Sequence, residues 1–242
     1  MVVLAVAVGL VACGADQESE GEGSEGALKS ARLPVDDERS LPASATDGVA
    51  TFYDANGEGS CSFDATPDDL DVVALAHPEY NGSKACGACL RVKGPKGIVT
   101  VRVTDRCPGC ESKGVTLDLG AKAFAKIAEP KQGRVDVSYA EVPCSVTGNV
   151  AYRFKDGSSK WWTAIQVRNH KHPIAKLEYE KDGAWVAIPR LDYNYFVVQK
   201  GVGDQPNGLK LRVTSDDGQT LVDTLPGEIE ADKTITGDAQ FR

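Results

Sequence analysis

Two aspartates in a cysteine-bounded stretch of the chain have the chemistry of a proton-transfer site. Asp105 lies within residues 104–110, and Asp118 follows thirteen positions later in the sequence Leu-Asp-Leu. A protonated carboxyl group can act as a general acid, whereas an ionised one can activate water. The pair therefore indicates a site for acid–base chemistry, and the alternative is that both aspartates only cap turns.

The cysteines offer three readings. Cys13 lies near the N-terminus, and the other six fall between positions 61 and 144, namely Cys61, Cys86, Cys89, Cys107, Cys110 and Cys144. Two Cys-x2-Cys pairs separated by seventeen residues have zinc-ribbon spacing, and either pair could be redox-active. Zinc would leave Cys61 and Cys144 unexplained, whereas three disulfides use all six cysteines of an exported chain. We favour disulfides and predict no metal site, although the residues alone leave many pairings open.

Short β-like runs dominate the cysteine-containing part of the chain. They occupy residues 49–53, 71–76, 89–92, 98–104 and 134–140. Residues 100–104 alternate apolar and polar side chains, as a half-buried strand does. One helix is predicted over 121–128, with Phe124 and Ile127 on one face. Short strands with one helix predict a small closed barrel over residues 48–144.

The cysteine-free part, residues 145–242, has a different pattern. Seven short strands are predicted at regular spacing, over residues 149–154, 164–168, 175–180, 185–189, 195–199, 209–214 and 220–225. Asp-Gly and Asn-Gly pairs mark turns between them, and no helical stretch occurs, so the pattern predicts a β-sandwich. Trp185 is expected in its core, and His170 and His172 are interpreted as structural. The joint between the two units is very short, which predicts that they pack rigidly.

The N-terminus carries an export signal. Residues 1–12 are wholly apolar, too short to span a bilayer and typical of a signal peptide. Residues 10–13 resemble a bacterial lipobox, which would acylate Cys13, although no Lys or Arg precedes the apolar run. A plain signal peptide is the alternative. Residues 13–47 are rich in Gly, Ser, Glu and Asp, and they are predicted to form a disordered linker.

The charge distribution excludes some partners. The net charge is −8, and residues 14–47 contribute most of it with three basic and nine acidic groups. This balance argues against a nucleic-acid partner or an anionic membrane surface. Contact with a membrane is expected only through the lipid anchor.

Four short motifs occur in the order in which bacterial expansins have them. They are Ala-Thr-Phe-Tyr at 50–53, Ala-Cys-Gly-Ala-Cys at 85–89, Val-Thr-Asp at 103–105 and Leu-Asp-Leu at 117–119. The chain after the linker resembles this family over about 195 residues. The resemblance implies a mainly β fold, with a six-stranded double-psi β-barrel that has short helices and is related to family-45 glycoside hydrolases. A C-terminal immunoglobulin-like β-sandwich would follow it.

The resemblance also implies roles for the residues of the barrel. Asp118 corresponds to the general acid of the related hydrolases, and Asp105, Thr51 and Tyr53 match polar positions that line the same glucan groove. Related cysteine patterns imply three disulfides, which are Cys61–Cys86, Cys89–Cys144 and Cys107–Cys110.

The second unit resembles the cellulose-binding domain of bacterial expansins through residues 157–170. In that domain two tryptophans and a tyrosine form a flat row, which maps to Trp161, Trp162 and Tyr193, and Lys155 matches a basic residue beside the row. A planar ring buries the apolar face of a sugar. The alternative is that one tryptophan fills the sandwich core and the other is only partly exposed.

Hydrolysis by inversion needs a second carboxylate that activates water. The related hydrolases carry it at the position of Ala55, and Asp54 lies one residue away, where a strand side chain points to the opposite face. The N-terminal signal and the resemblance together predict a secreted or cell-surface lipoprotein that is monomeric and needs no cofactor. It is expected to bind cellulose and related β-glucans and to loosen their contacts without hydrolysis. Xyloglucan and peptidoglycan are further candidate partners. The rival functions are a weak endoglucanase or peptidoglycan lytic transglycosylase using Asp118, and a binding module with an inert barrel.

Overall fold

The computed structural model describes residues 40–242, which belong to one compact unit. The predicted signal peptide, Cys13 and the linker up to residue 39 lie outside the described residues. Within residues 40–242, no helix has the length and apolar character needed to cross a membrane.

Six strands close the N-terminal barrel. They are β1 (Thr46–Tyr53), β2 (Val72–Leu75), β3 (Cys89–Lys93), β4 (Ile98–Arg106), β5 (Leu117–Gly120) and β6 (Val135–Val142). The strand order is β1-β5-β2-β4-β3-β6, with β1/β5 and β2/β4 parallel. β1 begins two residues inside the predicted linker, because Thr46 and Asp47 pair with Tyr139 and Ser138. The four-residue β5 was not predicted, since a run so short gives little alternation to detect.

Two helices and two short 3-10 turns connect the strands. They are α1 (His77–Tyr80), α2 (Ala121–Ile127), and the 3-10 turns Glu111–Lys113 and Pro130–Gln132. α2 follows β5 directly and buries Phe124 and Ile127 in the barrel core, as its pattern predicts. The Phe52 ring packs on Phe124 with ring centroids 4.8 Å apart, so α2 covers the C-terminal end of β1.

The remaining strands form two four-stranded sheets. They are β7 (Ala151–Phe154), β8 (Thr163–Arg168), β9 (Ile174–Lys181), β10 (Ala184–Ala187), β11 (Phe196–Val198), β12 (Leu209–Ser215), β13 (Thr220–Leu225) and β14 (Thr234–Thr236). One sheet has the order β10-β9-β12-β13 and the other β11-β8-β7-β14. The prediction for Trp185 is wrong, because its ring lies partly exposed on β10 with Lys210 and Arg212 stacked 5.5 and 4.6 Å from its centroid. The prediction of a mainly β fold is confirmed.

Three disulfides join the cysteines of the barrel. The pairs are Cys61–Cys86, Cys89–Cys144 and Cys107–Cys110, as the resemblance implies. Cys89–Cys144 ties β3 to the chain just after β6, where the polypeptide leaves the barrel. It therefore fixes the start of the connection to the sandwich.

The stabilisation from each disulfide should increase with the number of residues in the loop that it closes. Cys89–Cys144 spans 55 residues and Cys107–Cys110 spans 3. By loop-closure entropy, replacing both cysteines of the first bridge by serine should lower the free energy of unfolding by about 4 kcal/mol, against about 2 kcal/mol for the second. Urea unfolding of the two double variants measures the difference. Equal losses would contradict the entropic explanation.

Hydrogen bonds tie the barrel to the sandwich. The carbonyl of Cys61 accepts from the side-chain amides of Gln166 (2.8 Å) and Asn194 (3.2 Å), and both amide residues are buried. The Tyr80 hydroxyl donates to the carbonyl of Asp192 at 2.7 Å. Because buried polar groups lose much when unpaired, these bonds hold the two parts in one arrangement.

His170 is buried at the same junction. Its Nδ1 donates to the carbonyl of His172 at 2.8 Å, since a carbonyl can only accept, and its other ring edge faces Gly87. A Cβ at Gly87 would lie 2.6 Å from the imidazole, so glycine is required there. Burial lowers the pKa of His170 to about 4.

We expect His170 to make the protein acid-sensitive. Its folded pKa lies below the ordinary value of 6.5, so the unfolded state takes up the proton first, and stability present above pH 6.5 is lost as pH falls towards 4. The loss is on the order of 3 kcal/mol. Urea midpoints at neutral and mildly acid pH should show a smaller drop for His170→Asn, which keeps the donor to His172. An equal drop in both proteins would assign the effect to other groups.

Candidate functional site

Asp118 lies in the middle of a three-strand arrangement. β1 places Thr51 beside it in parallel register, and β2 places Ala74 on its other side. The Thr51 hydroxyl donates to Asp118 Oδ1 at 2.6 Å. The alternation of Leu117 and Leu119 into the core leaves the aspartate between them on the outer side of β5.

The surroundings of Asp118 favour its protonated form. Burial raises the pKa of Asp118 and the charge of Asp105 adds to the rise, while the Thr51 hydrogen bond and the positive charge of Lys113 oppose it. A carboxyl that keeps its proton at higher pH than usual can donate it to a glycosidic oxygen or a sugar hydroxyl.

Asp105 is held at the end of β4 by backbone donors. Its Oδ1 accepts from the N–H of Ser60 at 2.6 Å and from the N–H of Arg106 at 2.7 Å. Gly59 lies so close that a Cβ there would come within 2.4 Å of the aspartate side chain. The loop before Cys61 therefore fixes where this carboxylate points.

Two buried hydroxyl groups lie beside the aspartates. Burial, then the negative charge of Asp105, raises the pKa of Tyr53 to about 12, so its phenol stays protonated. The Thr104 hydroxyl opposes this rise as a side-chain hydrogen-bond partner of Tyr53. Neither hydroxyl has a hydrogen bond to any other described residue. Buried hydroxyls with unused hydrogen-bonding capacity can bind a water or a ligand. The sequence did not identify Thr104 as a site residue, because a β-branched residue in an alternating run indicates only a β-strand.

The position expected for a catalytic base holds no carboxylate. Ala55 is buried, with 8% of its surface exposed, and Asp54 points to solvent. The charges that act on the Asp118 carboxyl come from Lys113 and Asp105, not from Asp54. Among the described residues, Asp105 is the carboxylate whose charge raises the pKa of Asp118.

The Cys107–Cys110 bridge borders the acid. Each sulfur and a carboxylate oxygen of Asp118 lie within 4.8 Å of one another. Because both sulfurs are bonded to each other, this cluster offers no thiolate to a metal ion. It supplies an apolar wall beside the carboxyl group.

The second set of site residues lies on the sandwich. Trp161 has 71% of its surface exposed, whereas Trp162 and Tyr193 are half-buried against Ala164, Tyr195 and Val197. An isolated bridge between Ser159 and Trp162 marks irregular backbone here, and of the two adjacent tryptophans only Trp161 is largely exposed. Lys155, half-buried, follows β7 directly.

The exposed ring of Trp161 is held by a neighbouring cation. The Lys160 ammonium lies 5.0 Å from the ring centroid and is paired with Asp204 at 2.7 Å. Lys160 was not predicted as a site residue, since an exposed lysine carries no distinctive pattern.

A chain of contacts links the aromatic residues to the aspartates. Tyr193 lies between Asp192, whose carbonyl accepts from Tyr80, and Asn194, whose amide donates to Cys61. The Tyr80 hydroxyl also lies 3.1 Å from the carbonyl of Ser60, and the N–H of Ser60 binds Asp105. The two parts of the site are therefore connected through one loop of the barrel.

Comparison with known proteins identifies this arrangement. A family model described as lytic transglycolase matches residues 72–139, which include both aspartates. Over 205 residues the chain is 42% identical to Expansin-YoaJ of Bacillus subtilis (strain 168), covering 81% of this chain and 86% of that relative. The chain belongs to the expansin family. The prediction from the motifs is confirmed.

This expansin also has more distant relatives and solved neighbours. It is 29% identical to Expansin-like protein 1 of Dictyostelium discoideum over 204 residues, covering 79% of this chain and 70% of that relative. The apo expansin of Clavibacter michiganensis superposes with a TM-score of 0.72 at 36% identity, covering 82% of this chain and 98% of the other. A mutant of that expansin was solved in complex with cellohexaose, and it matches with a TM-score of 0.73.

Proposed function

We propose that this expansin binds cellulose and related β-glucans and loosens their noncovalent contacts without hydrolysis. The observation that carries the proposal is the exposed Trp161 ring with Trp162 and Tyr193 beside it, linked to a groove with a proton donor and no base. The cellohexaose complex of the Clavibacter michiganensis expansin supports a glucan as the ligand.

The sandwich provides the docking surface in this proposal. Trp161, Trp162 and Tyr193 stack on the apolar faces of successive glucose rings, and Lys155 donates to hydroxyls beside the row. Two of the rings are packed against the core, so little conformational entropy is lost when they bind.

The barrel then holds one glucan chain. Thr51 and Asp118 are already hydrogen-bonded to each other. With Asp105 and the Tyr53 hydroxyl, they can replace the hydrogen bonds that sugar hydroxyls make to a neighbouring glucan chain. A chain held this way gives up its contacts to the fibril, and no covalent bond changes. The loosening needs no cofactor.

The absence of hydrolysis follows from the missing base. Inverting hydrolysis places a second carboxylate roughly 6.5–9.5 Å from the acid to activate water. Ala55 stands at the position of that carboxylate and is buried. Asp105 has one oxygen bound by two backbone N–H groups, which suits a fixed binding partner.

One experiment tests the whole proposal. Purified protein is incubated with cellulose, and sedimentation, paper weakening and soluble reducing sugar are measured in the same samples. We expect binding and weakening with no accumulation of sugar. Steady release of oligosaccharides would overturn the non-hydrolytic mechanism.

A lytic transglycosylase acting on peptidoglycan is the second candidate function. The match of residues 72–139 to the lytic transglycolase model favours it, because Asp118 lies within that match and its pKa is raised. Incubation with purified peptidoglycan should then release soluble fragments, and Asp118→Asn should abolish the release. A fragment-free supernatant from the native protein would reject this candidate.

We further propose that the protein is a secreted, monomeric lipoprotein in which Cys13 is acylated and residues 13–47 serve largely as a tether. Three disulfides support export to an oxidising compartment. Labelled palmitate should enter the native protein but not Cys13→Ser, and light scattering should give the mass of one chain. Label in the variant, or a dimer mass, would contradict these points.

A further inference from the structure

A second pocket lies at the mouth of the barrel, away from the aspartates. It has a volume of about 250 Å³, and its floor is apolar, formed by Leu75, Ala85, Ala88 and Leu90. Along β1 the pocket borders Thr46, whereas Thr51 of the groove lies five residues farther on, about 16 Å at the rise of a strand. The pocket is therefore separate from the glucan groove.

The strand alternation of β6 explains why this pocket is polar at its rim. Val135 and Val137 point into the barrel core and Tyr139 packs partly against it, whereas Glu141 is exposed at the open end. Tyr139 pairs with Val92 in register, and Glu141 pairs with Leu90, which lines the pocket. An aromatic ring and a carboxylate thus stand over an apolar floor.

A second carboxylate enters the pocket from α1. Glu79 Oε2 is buried and has no hydrogen-bond donor among the described residues. Burial and then the charge of Glu79 raise the pKa of Tyr139. Burial and then Asp216, which also shares a hydrogen bond with the Glu141 carboxyl, raise the pKa of Glu141 to about 7, so Glu141 is largely neutral near pH 6. No Lys, Arg or His belongs to the described lining. The negative charge of the pocket is therefore that of Glu79, and no positive donor faces it from this lining.

We propose that the barrel mouth binds an amino sugar with a free, protonated amine. The ammonium group donates to Glu79 Oε2 and so supplies the donor that this buried oxygen lacks. The pyranose ring packs against Tyr139 and the apolar floor. A pocket of about 250 Å³ holds one ring of this size and no longer oligosaccharide.

Matched sugars test the charge and the ring separately. Amide resonances of Ala85 and Ala88 are followed by NMR on the full chain near pH 6, during titration with glucosamine, N-acetylglucosamine, glucose and butylamine. Glucosamine should shift them at saturable, millimolar concentration, and the other three should bind at least about tenfold more weakly. If N-acetylglucosamine or glucose binds as tightly as glucosamine, the ammonium group does not contribute to binding. If butylamine binds as tightly, the sugar ring does not contribute. Either result overturns the proposal.

Variants locate the ligand. Glu79→Gln should weaken glucosamine binding about tenfold, because the amide presents no negative charge. Ala85→Leu should block the pocket by filling it. Glu228→Gln, an exposed glutamate of the sandwich, should leave the titration unchanged. Retained cellulose sedimentation by all three shows that they are folded, and glucosamine binding by Glu79→Gln at native strength would refute the site.

Discussion

Trp161→Ala is expected to weaken binding to crystalline cellulose roughly 10- to 30-fold. The ring has 71% of its surface exposed and stacks on little besides Lys160, so its removal leaves the core intact. Loss of one buried aromatic anchor costs about 2 kcal/mol of binding free energy, and each 1.4 kcal/mol corresponds to about tenfold in affinity. Depletion isotherms with microcrystalline cellulose measure the change.

Trp185→Ala is the matched control. It removes the same side chain from the same domain, but from β10 in the opposite sheet, where Lys210 and Arg212 cover the ring. Its isotherm should stay within twofold of the native one. If both alanine variants lose affinity equally, the flat row is not the docking surface.

Asp118→Asn is expected to reduce wall-loosening activity about tenfold or more while cellulose binding is retained. The amide keeps an oxygen that can accept from Thr51, but it loses the proton that the raised pKa preserves and the charge that ionisation would supply. A hydrogen bond to a charged group contributes about 1.5–3 kcal/mol, which sets the size of the loss. Extension of cellulose-rich wall strips under constant load measures it.

Asp54→Asn separates this mechanism from hydrolysis. Asp54 is exposed and does not act on Asp118, so its replacement should leave both loosening and binding unchanged. A parallel loss in the two variants would instead indicate a catalytic pair of carboxylates. Unchanged loosening by Asp118→Asn would favour an inert barrel that merely carries the binding domain.

Much of the fold could be predicted from local patterns, because most strands alternate clearly and end at turn residues. The exceptions have physical causes. β5 and β14 have four and three residues, which is too few for an alternation of apolar and polar side chains to be recognised. They form strands because they pair with neighbouring strands, as β14 does with β7. Trp185 looked like a core residue, but its strand lies at the sheet edge, where cationic side chains cover the ring instead.

The site was less accessible from the residues alone. Asp105 and Asp118 stand out by type, yet their distinct roles depend on burial and on donors such as the N–H of Ser60, forty-five positions away from Asp105. The Thr104 hydroxyl matters because the fold places it beside Tyr53. Glu79 matters because the fold leaves its Oε2 without a donor among residues 40–242. No local sequence pattern predicts either placement.

The Cys61 loop has a mechanical consequence. The Cys61 carbonyl accepts hydrogen bonds from two side-chain amides of the sandwich, and Cys61 is bonded to Cys86. The N–H of the neighbouring Ser60 donates to Asp105. If cellulose binds as proposed, a pull on the tryptophans should be transmitted through this loop to the glucan chain held by the barrel. We therefore expect force to act on the polymer at two points whose separation is fixed by the protein.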